Sequence, residues 1–354
     1  MYEQLGLDVD PRQAAIVFGL LVGLLFGGLA EVSRFCFRRM VAGPSGERRA
    51  ASGVWMTGLA VAVIGTQIAI AQGFITFEEH RFFAADLPWL AIVIGGLAFG
   101  AGMVLTRGCV SRLTVLAGTG NLRALIVLLA FAFVAHATLK GVLAPVRTTL
   151  GAVTLPLNSA SLPGSSVIWS ALIVIAALAI ALRSGASKRD MVLGALIGVL
   201  VPLAWVGTGY VLFDEFDPIA MESLSFTSPA AETLFWGVAS SAIPAGFGVG
   251  LLGGVVAGAL ALSVLFGRFQ WQSFETPRQT GRYFAGAALM GVGGVLAGGC
   301  TMGAGLSGIP TLSIAAILAI AAIAIGGKIT AQLLRDGLPS SDASQATQTQ
   351  APAS

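Results

Sequence analysis

Charge is what this sequence has least of. Acidic and basic residues fill 10% of its 354 positions, whereas a soluble domain carries about a quarter. Hydrophobic residues make up 56%, and mean hydropathy is +0.86. A chain this poor in charge cannot cover a soluble globule with polar surface, so a membrane protein is the class that remains. Histidine occurs twice, at His80 and His136, and cysteine three times with no CxxC pair. Those counts exclude a disulfide framework and leave a metal centre without ligands. Neither a metal nor a cofactor is expected. No G-x-x-x-x-G-K-[ST] stretch is present to cradle ATP, and no carboxylate–histidine relay stands inside the apolar segments. The opening "MYEQLGLDVDPRQ" lacks the basic n-region of a cleaved signal.

Glycine, by contrast, is plentiful at 47 residues, as suits membrane helices that pack closely. Runs of about 20 apolar residues cross a bilayer. Nine such spans are expected, at 13–35, 51–72, 88–106, 123–139, 167–182, 191–213, 245–266, 283–299 and 311–334, with short interfacial helices near Leu150 and Glu232. If the N-terminus lies outside, the outer segments hold Arg12, Arg81, Lys140 and Arg147, and the other sixteen of the 20 basic residues fall inside. That bias predicts an outer N-terminus and a cytoplasmic C-terminus.

"GMVLTRGC" (102–109) and "GGVLAGGC" (293–300) agree at five of eight positions under an offset of 191 residues. Under the same offset Gly95 and Gly100 lie over Gly286 and Gly291. Spans one to four then match spans six to nine. An odd connecting span turns the second half upside down, and such repeats put their shared site at the midplane on broken helices. The expected fold is therefore an all-α polytopic membrane protein of two inverted pseudo-symmetric repeats. The first repeat covers 1–166, the connector span and its loop 167–190, the second repeat 191–336, and a polar, disordered tail 337–354. Glycine-rich breaks at that depth are tolerated where they are buried or line a cavity. Gly108 and Gly299 are expected to wall a central pathway, Gly on account of close approach and of a backbone angle it adopts cheaply.

Each break carries a thiol. Cys109 and Cys300 match each other under the offset, while Cys36, in "EVSRFCFRRM", has no partner in the second half. A lone buried cysteine is usually a small hydrophobe. These three stand beside Gly, Ser, Thr or Arg instead, with Arg34 before Cys36 and Arg107 before Cys109. Arg38, Arg39 and Arg112 read as positive-inside residues meeting headgroups. Glu31, the acid inside a span, is expected to pair with Arg34 at i, i+3.

"SRFCF", "GMVLTRGCVSRLTVLAGTGNLRAL" and "RYFAGAALMGVGGVLAGGCTMGAGLSG" resemble signatures of the YeeE/YedE family of bacterial inner-membrane proteins. "LSFTSPAAETLFWG" (224–237) and "GRFQWQSFETP" (267–277) are similar to further family segments, and the likeness runs nearly to Leu334. The resemblance implies a pseudo-symmetric, hourglass-shaped fold and thiosulfate uptake, with Cys36, Cys109 and Cys300 lining the route. It implies too that a small cytoplasmic sulfur carrier, if one is used, is a separate protein. Thiosulfate is a dianion with a hard sulfonate face and one soft sulfur. A thiol of pKa ~8.5 stays protonated at neutral pH and can donate S–H to that sulfur, with backbone N–H groups at the breaks for the oxygens. The expectation is a transporter in the lipid bilayer rather than an enzyme, with Cys36, Cys109, Cys300, Gly108, Gly299, Arg34 and Arg107 along the path. A membrane sulfurtransferase that forms a cysteine persulfide is the alternative, or a transporter of another sulfur or selenium compound.

Overall fold

A computed structural model gives the fold over residues 10–78, 80–157, 159–214 and 217–336. The expected tail at 337–354 and the first nine residues lie outside the described residues. The chain is a bundle of helices: α1 (Pro11–Ser33), α2 (Phe37–Ala42), α3 (Ser45–Ala71), α4 (Trp89–Leu105), α5 (Val110–Gly118), α6 (Leu122–Lys140), α7 (Ala144–Gly151), α8 (Ser166–Leu182), α9 (Lys188–Val206), α10 (Thr227–Ala239), α11 (Phe247–Leu265), α12 (Pro277–Leu296) and α13 (Ile314–Asp336). Two π-helical turns, Gly207–Val211 and Thr301–Gly308, extend α9 and follow α12. A two-residue antiparallel pair of strands, β1 (Asp86–Leu87) and β2 (Leu155–Pro156), ties two loops together.

Among the described residues, eight helical stretches are long and apolar enough to cross a bilayer. Three join elements across a break: Pro11–Ala42, Trp89–Gly118 and Pro277–Thr311. The remaining expected span, the fifth, is α8, whose 17 residues reach about 25 Å, near the lower limit for crossing. The chain is thus an all-α multi-pass membrane protein. The expected bounds were short where polar ends continue the helix: the second span starts at Ser45 and the eighth at Pro277. α7 and α10 are the short helices expected near Leu150 and Glu232.

Glycine ladders set the packing. Gly23 and Gly27 of α1 lie against the backbone of Leu251 and Val255, while Gly250, Gly254 and Gly258 of α11 lie against the carbonyls of Ile16, Leu20 and Leu24. Lipid supplies no hydrophobic drive for helix association, so this close approach of small residues at i, i+4 is the source of contact energy. Gly58 with Gly194 and Gly198 does the same between α3 and α9, as do Gly95 and Gly293 between α4 and α12. The partners form a pattern. α1 lies along α11 and α9 along α3; α4 lies on α13 and α12 on α6; α4 also meets α12, and α1 meets α9. Exchanging α1 with α9, α3 with α11, α4 with α12 and α6 with α13 maps these pairings onto themselves.

The loops gather on two faces. On one, Arg12 pairs with Asp217 at 2.8 Å, β1 pairs with β2, and Ser313 Oγ donates to the Phe82 carbonyl at 2.7 Å. On the other, Asn121 bridges to Gln272, Arg123 lies 3.6 Å from Glu275, and Arg39 lies 3.2 Å from Glu47. The first is called the cavity face below and the second the basic face.

Candidate functional site

All three cysteines follow the same local construction. α1 ends at Arg34, φ +52°, and Cys36 caps the start of α2. α4 ends at Thr106; Arg107 follows at φ +58°, and Cys109 caps α5. After α12 comes Gly298 at φ +70°, and Cys300 caps the π-helical turn. A left-handed residue, one spacer and a cysteine thus interrupt each helix and start the next. Thr106 helps to close its break: its Oγ1 is 2.9 Å from the carbonyl oxygens of both Gly102 and Gly108 and can donate to either. Arg107 and Gly298 correspond under the 191-residue offset, so the two breaks share their backbone as well as their sequence.

The expected backbone role of Gly108 and Gly299 is corrected here. Neither has positive φ; the left-handed positions are their neighbours, Arg107 and Gly298. A Cβ on Gly108 would meet nothing closer than Leu113 Cδ2 at 3.4 Å, whereas one on Gly299 would stand 3.0 Å from the Ala304 nitrogen. Gly298 carries the sharper test, because no atom crowds it and strain acts alone. Gly298→Val should cost about 2 kcal/mol or more and lower the yield of folded protein, while Gly298→Asn, which tolerates the left-handed region, should cost less. Thermal stability in detergent reads the difference; equal losses would contradict the strain.

The thiols converge inside the bundle, where all three are buried. The Cys36 and Cys109 side chains lie within hydrogen-bonding reach of each other. Cys109 Sγ is also 3.3 Å from Ser111 Oγ and faces the Thr301 hydroxyl, on the residue after Cys300. Cys300 Sγ accepts from the Gly303 N–H at 3.5 Å. Toward the basic face, Cys36 lies in the field of Arg38 and Arg112. Toward the other, Cys300 is close enough to Arg81 to act on its charge. A continuous line of neighbours therefore runs from Arg81 through Cys300, Thr301, Cys109 and Cys36 to Arg38 and Arg112. Cys36, unmatched in the second half, directly adjoins Cys109.

A cavity of about 780 Å³ opens at the Arg81 end. Its wall includes His80, Arg81, Trp205, Glu222, Ser225 and Ser307. Arg81 has much accessible surface, yet that surface faces the cavity and protein surrounds the guanidinium on its other sides. Burial pulls its pKa below the ordinary arginine value, and Glu222, Cys300 and Glu232 pull the other way. The floor is held by the two π-helical turns. Thr208 Oγ1 donates to the Glu222 carbonyl at 2.7 Å and accepts from the Glu222 N–H at 2.9 Å. Ser307 Oγ donates to the Leu224 carbonyl at 2.9 Å. Two buried donors near the cavity have no protein partner among the described residues: Trp205 Nε1 and Ser225 Oγ. A buried unsatisfied donor costs about 1–3 kcal/mol, which an anion or water in the route offsets. No three His, Cys, Asp or Glu side chains gather as a metal-holding group among the described residues.

A family model described as sulphur transport matches residues 32–329, which includes all three cysteine breaks. The chain belongs to that sulphur-transport family, the YeeE/YedE family of the resemblance. Two relatives carry the name thiosulfate transporter TsuA. The protein of Escherichia coli (strain K12) is 27% identical over 323 residues, covering 82% of this chain and 86% of its own length. That of Spirochaeta thermophila (strain ATCC 700085 / DSM 6578 / Z-1203) is 26% identical over 331 residues, covering 89% and 98%.

Two expectations about charge in this family member change. Arg34 and Arg107 are exposed at the breaks, and each takes the left-handed backbone two residues before its cysteine. Glu31 pairs with Arg112 Nη1 at 3.6 Å, not with Arg34, because Arg34 leaves the helical path at φ +52°. Arg112 also donates to the Ala30 carbonyl at 3.3 Å and is largely buried rather than at a headgroup. Arg81, Glu222 and Ser225 went unnoticed in the sequence as site residues. They lie in loops without periodicity, and Arg81 counted only toward the charge bias. For Ser225 the signal was "LSFTSPAAETLFWG" (224–237), richer in Ser and Thr than a plain connection.

Proposed function

We propose that the protein takes up thiosulfate across the bacterial inner membrane, passing it along Cys300, Cys109 and Cys36 by hydrogen bonds from thiols and hydroxyls. The observation that carries this reading is the succession of buried thiols and hydroxyls, Cys300, Thr301, Cys109 and Cys36, between a cation-bearing cavity and a basic face. Family membership and two relatives named thiosulfate transporter support the substrate. The terminal sulfur of the dianion suits S–H donors, and its oxygens suit the hydroxyls of Ser225 and Thr301. Such weak contacts bind well enough to admit an ion and loosely enough to release it. The groups around Cys109 are Cys36, Ser111 and Thr301, which suit an anion; a persulfide-forming enzyme calls for a base beside its nucleophile. Labelled thiosulfate uptake into proteoliposomes tests the reading. Uptake should be competed by unlabelled thiosulfate and not by equimolar sulfate; equal competition by both would remove the role of the soft sulfur.

The helix pairings that survive the exchange of halves support two inverted repeats, 1–166 and 191–336, joined by the span in 167–190. Their two central breaks then meet near the midplane. The cavity face is outer and the basic face cytoplasmic, since sixteen of the 20 basic residues fall on the latter side. A reporter fused after Ser354 should be active in the cytoplasm and a tag before Tyr2 accessible from outside. Both termini on one side would remove the odd span count and the inversion with it. A separate small sulfur carrier is the partner suited to receive the anion near Arg38 and Arg112.

A further inference from the structure

The cavity mouth holds a charge arrangement that an anion carrier would not need for simple attraction. Glu78, Arg81 and Glu222 all line it, so two carboxylates share the wall with one guanidinium. Glu232 stands behind, close enough to act on both Glu222 and Arg81. His80 lines the same wall, its ring 5.2 Å from that of Trp205. With every carboxylate ionised, an incoming dianion meets a net negative cavity whose one guanidinium lies in the field of Glu222 and Glu232. The Glu222 backbone is pinned at this wall, its N–H and its carbonyl both bonded to Thr208.

We propose that Glu222 is a proton-operated gate on anion capture: the cavity accepts a divalent sulfur oxyanion at Arg81 when Glu222 is protonated, and the bound anion in turn holds that proton. This rests on the thiosulfate reading above. Protonation removes one opposing charge, frees Arg81 for the anion and turns Glu222 into an O–H donor. No bond is made or broken beyond the transfer of one proton between water and the Glu222 carboxylate.

The titration falls in the useful range. Burial, and then Glu232, push Glu222 from the usual carboxylate value up to about 7, against the opposing pull of Arg81. Burial and Arg81 push His80 down to about 4, so it stays neutral through this range and does not compete. Burial also raises Glu232, with Lys140 and Arg81 opposing. A bound dianion raises Glu222 further, so affinity is full below its pKa in the empty cavity and falls as pH rises through that value. Thiosulfate remains a dianion over the whole range and adds no pH dependence of its own.

The test is the KM for labelled thiosulfate in proteoliposomes of the full chain as outer pH is varied. Wild type should show a KM about tenfold higher at about pH 8 than at about pH 6, and Glu222→Gln a KM that hardly changes with pH. Arg81→Gln should raise KM at every pH. A flat wild-type KM, or a wild-type slope kept by Glu222→Gln, overturns the gate while leaving transport intact. Absence of uptake at any pH overturns the transport reading and the gate together. If Glu222→Gln fails to insert, proton uptake by purified wild type on adding thiosulfate near neutral pH decides. A fraction of a proton per protein is expected, and none contradicts the gate.

Discussion

Cys109→Ala should abolish most thiosulfate uptake while leaving the protein folded in the membrane. Cys109 stands at the junction of the route, in contact with Cys36, Ser111 and Thr301, so its loss removes the donor that links the two ends. A missing hydrogen bond to a charged ligand is worth about 1.5–3 kcal/mol, which is about ten- to a hundredfold in rate if it is lost at the barrier. Cys300→Ala should lose comparably, since Cys300 sits between Arg81 and Thr301. Cys36→Ala should lose less, being the last thiol before the arginines of the basic face. Serine should rescue poorly at all three, because a hydroxyl is shorter and harder than the soft sulfur it must meet. Thiosulfate should slow maleimide labelling of Cys109 in membranes, and equimolar sulfate should not. Uptake at wild-type rate by Cys109→Ala would make the thiols ordinary small core residues.

Breaking the Glu31–Arg112 pair has the largest expected effect on stability. Glu31 is buried, and Arg112 crosses from α5 to reach it and the Ala30 carbonyl. Glu31→Gln leaves that guanidinium without its counter-charge inside the bundle. The cost should be about 3 kcal/mol, seen as a lower melting temperature in detergent. The double variant Glu31→Gln/Arg112→Met should recover most of it, because an apolar side chain of similar volume replaces a costly buried ion. Uptake should stay low in the double variant, since Arg112 also stands in the field around Cys36. Recovery of both stability and uptake would make the pair purely structural.

The spans and the two matching breaks were legible because each is written in a local signal. Apolar run length and a repeated Gly-Cys need no knowledge of long-range contacts. The likeness of 102–109 to 293–300 even located the shared backbone turn, although it pointed one residue too far, to Gly108 and Gly299. An arginine at φ +58° is invisible in sequence, since only glycine advertises that angle. The pairing of Glu31 was misread for a related reason. An i, i+3 argument holds within a continuous helix, and α1 stops at Ser33. The cavity was hidden because it joins loop residues 81, 222 and 225 through two π-helical turns, and no periodicity connects positions so far apart. Cys36 gave no hint of touching Cys109: they stand 73 positions apart, and the match between the other two breaks says nothing about an unmatched residue.

The central claim is that thiosulfate crosses intact, held by the thiols without bonding to them. Proteoliposomes loaded with thiosulfate labelled separately on its inner and its outer sulfur test this most directly, with mass spectrometry of Cys36, Cys109 and Cys300 after turnover. Both labels should cross the membrane in equal amounts within one molecule, and all three thiols should be recovered unmodified. Arrival of the outer sulfur alone, with sulfite left behind at the rate of uptake and a persulfide on any of the three cysteines, would contradict it.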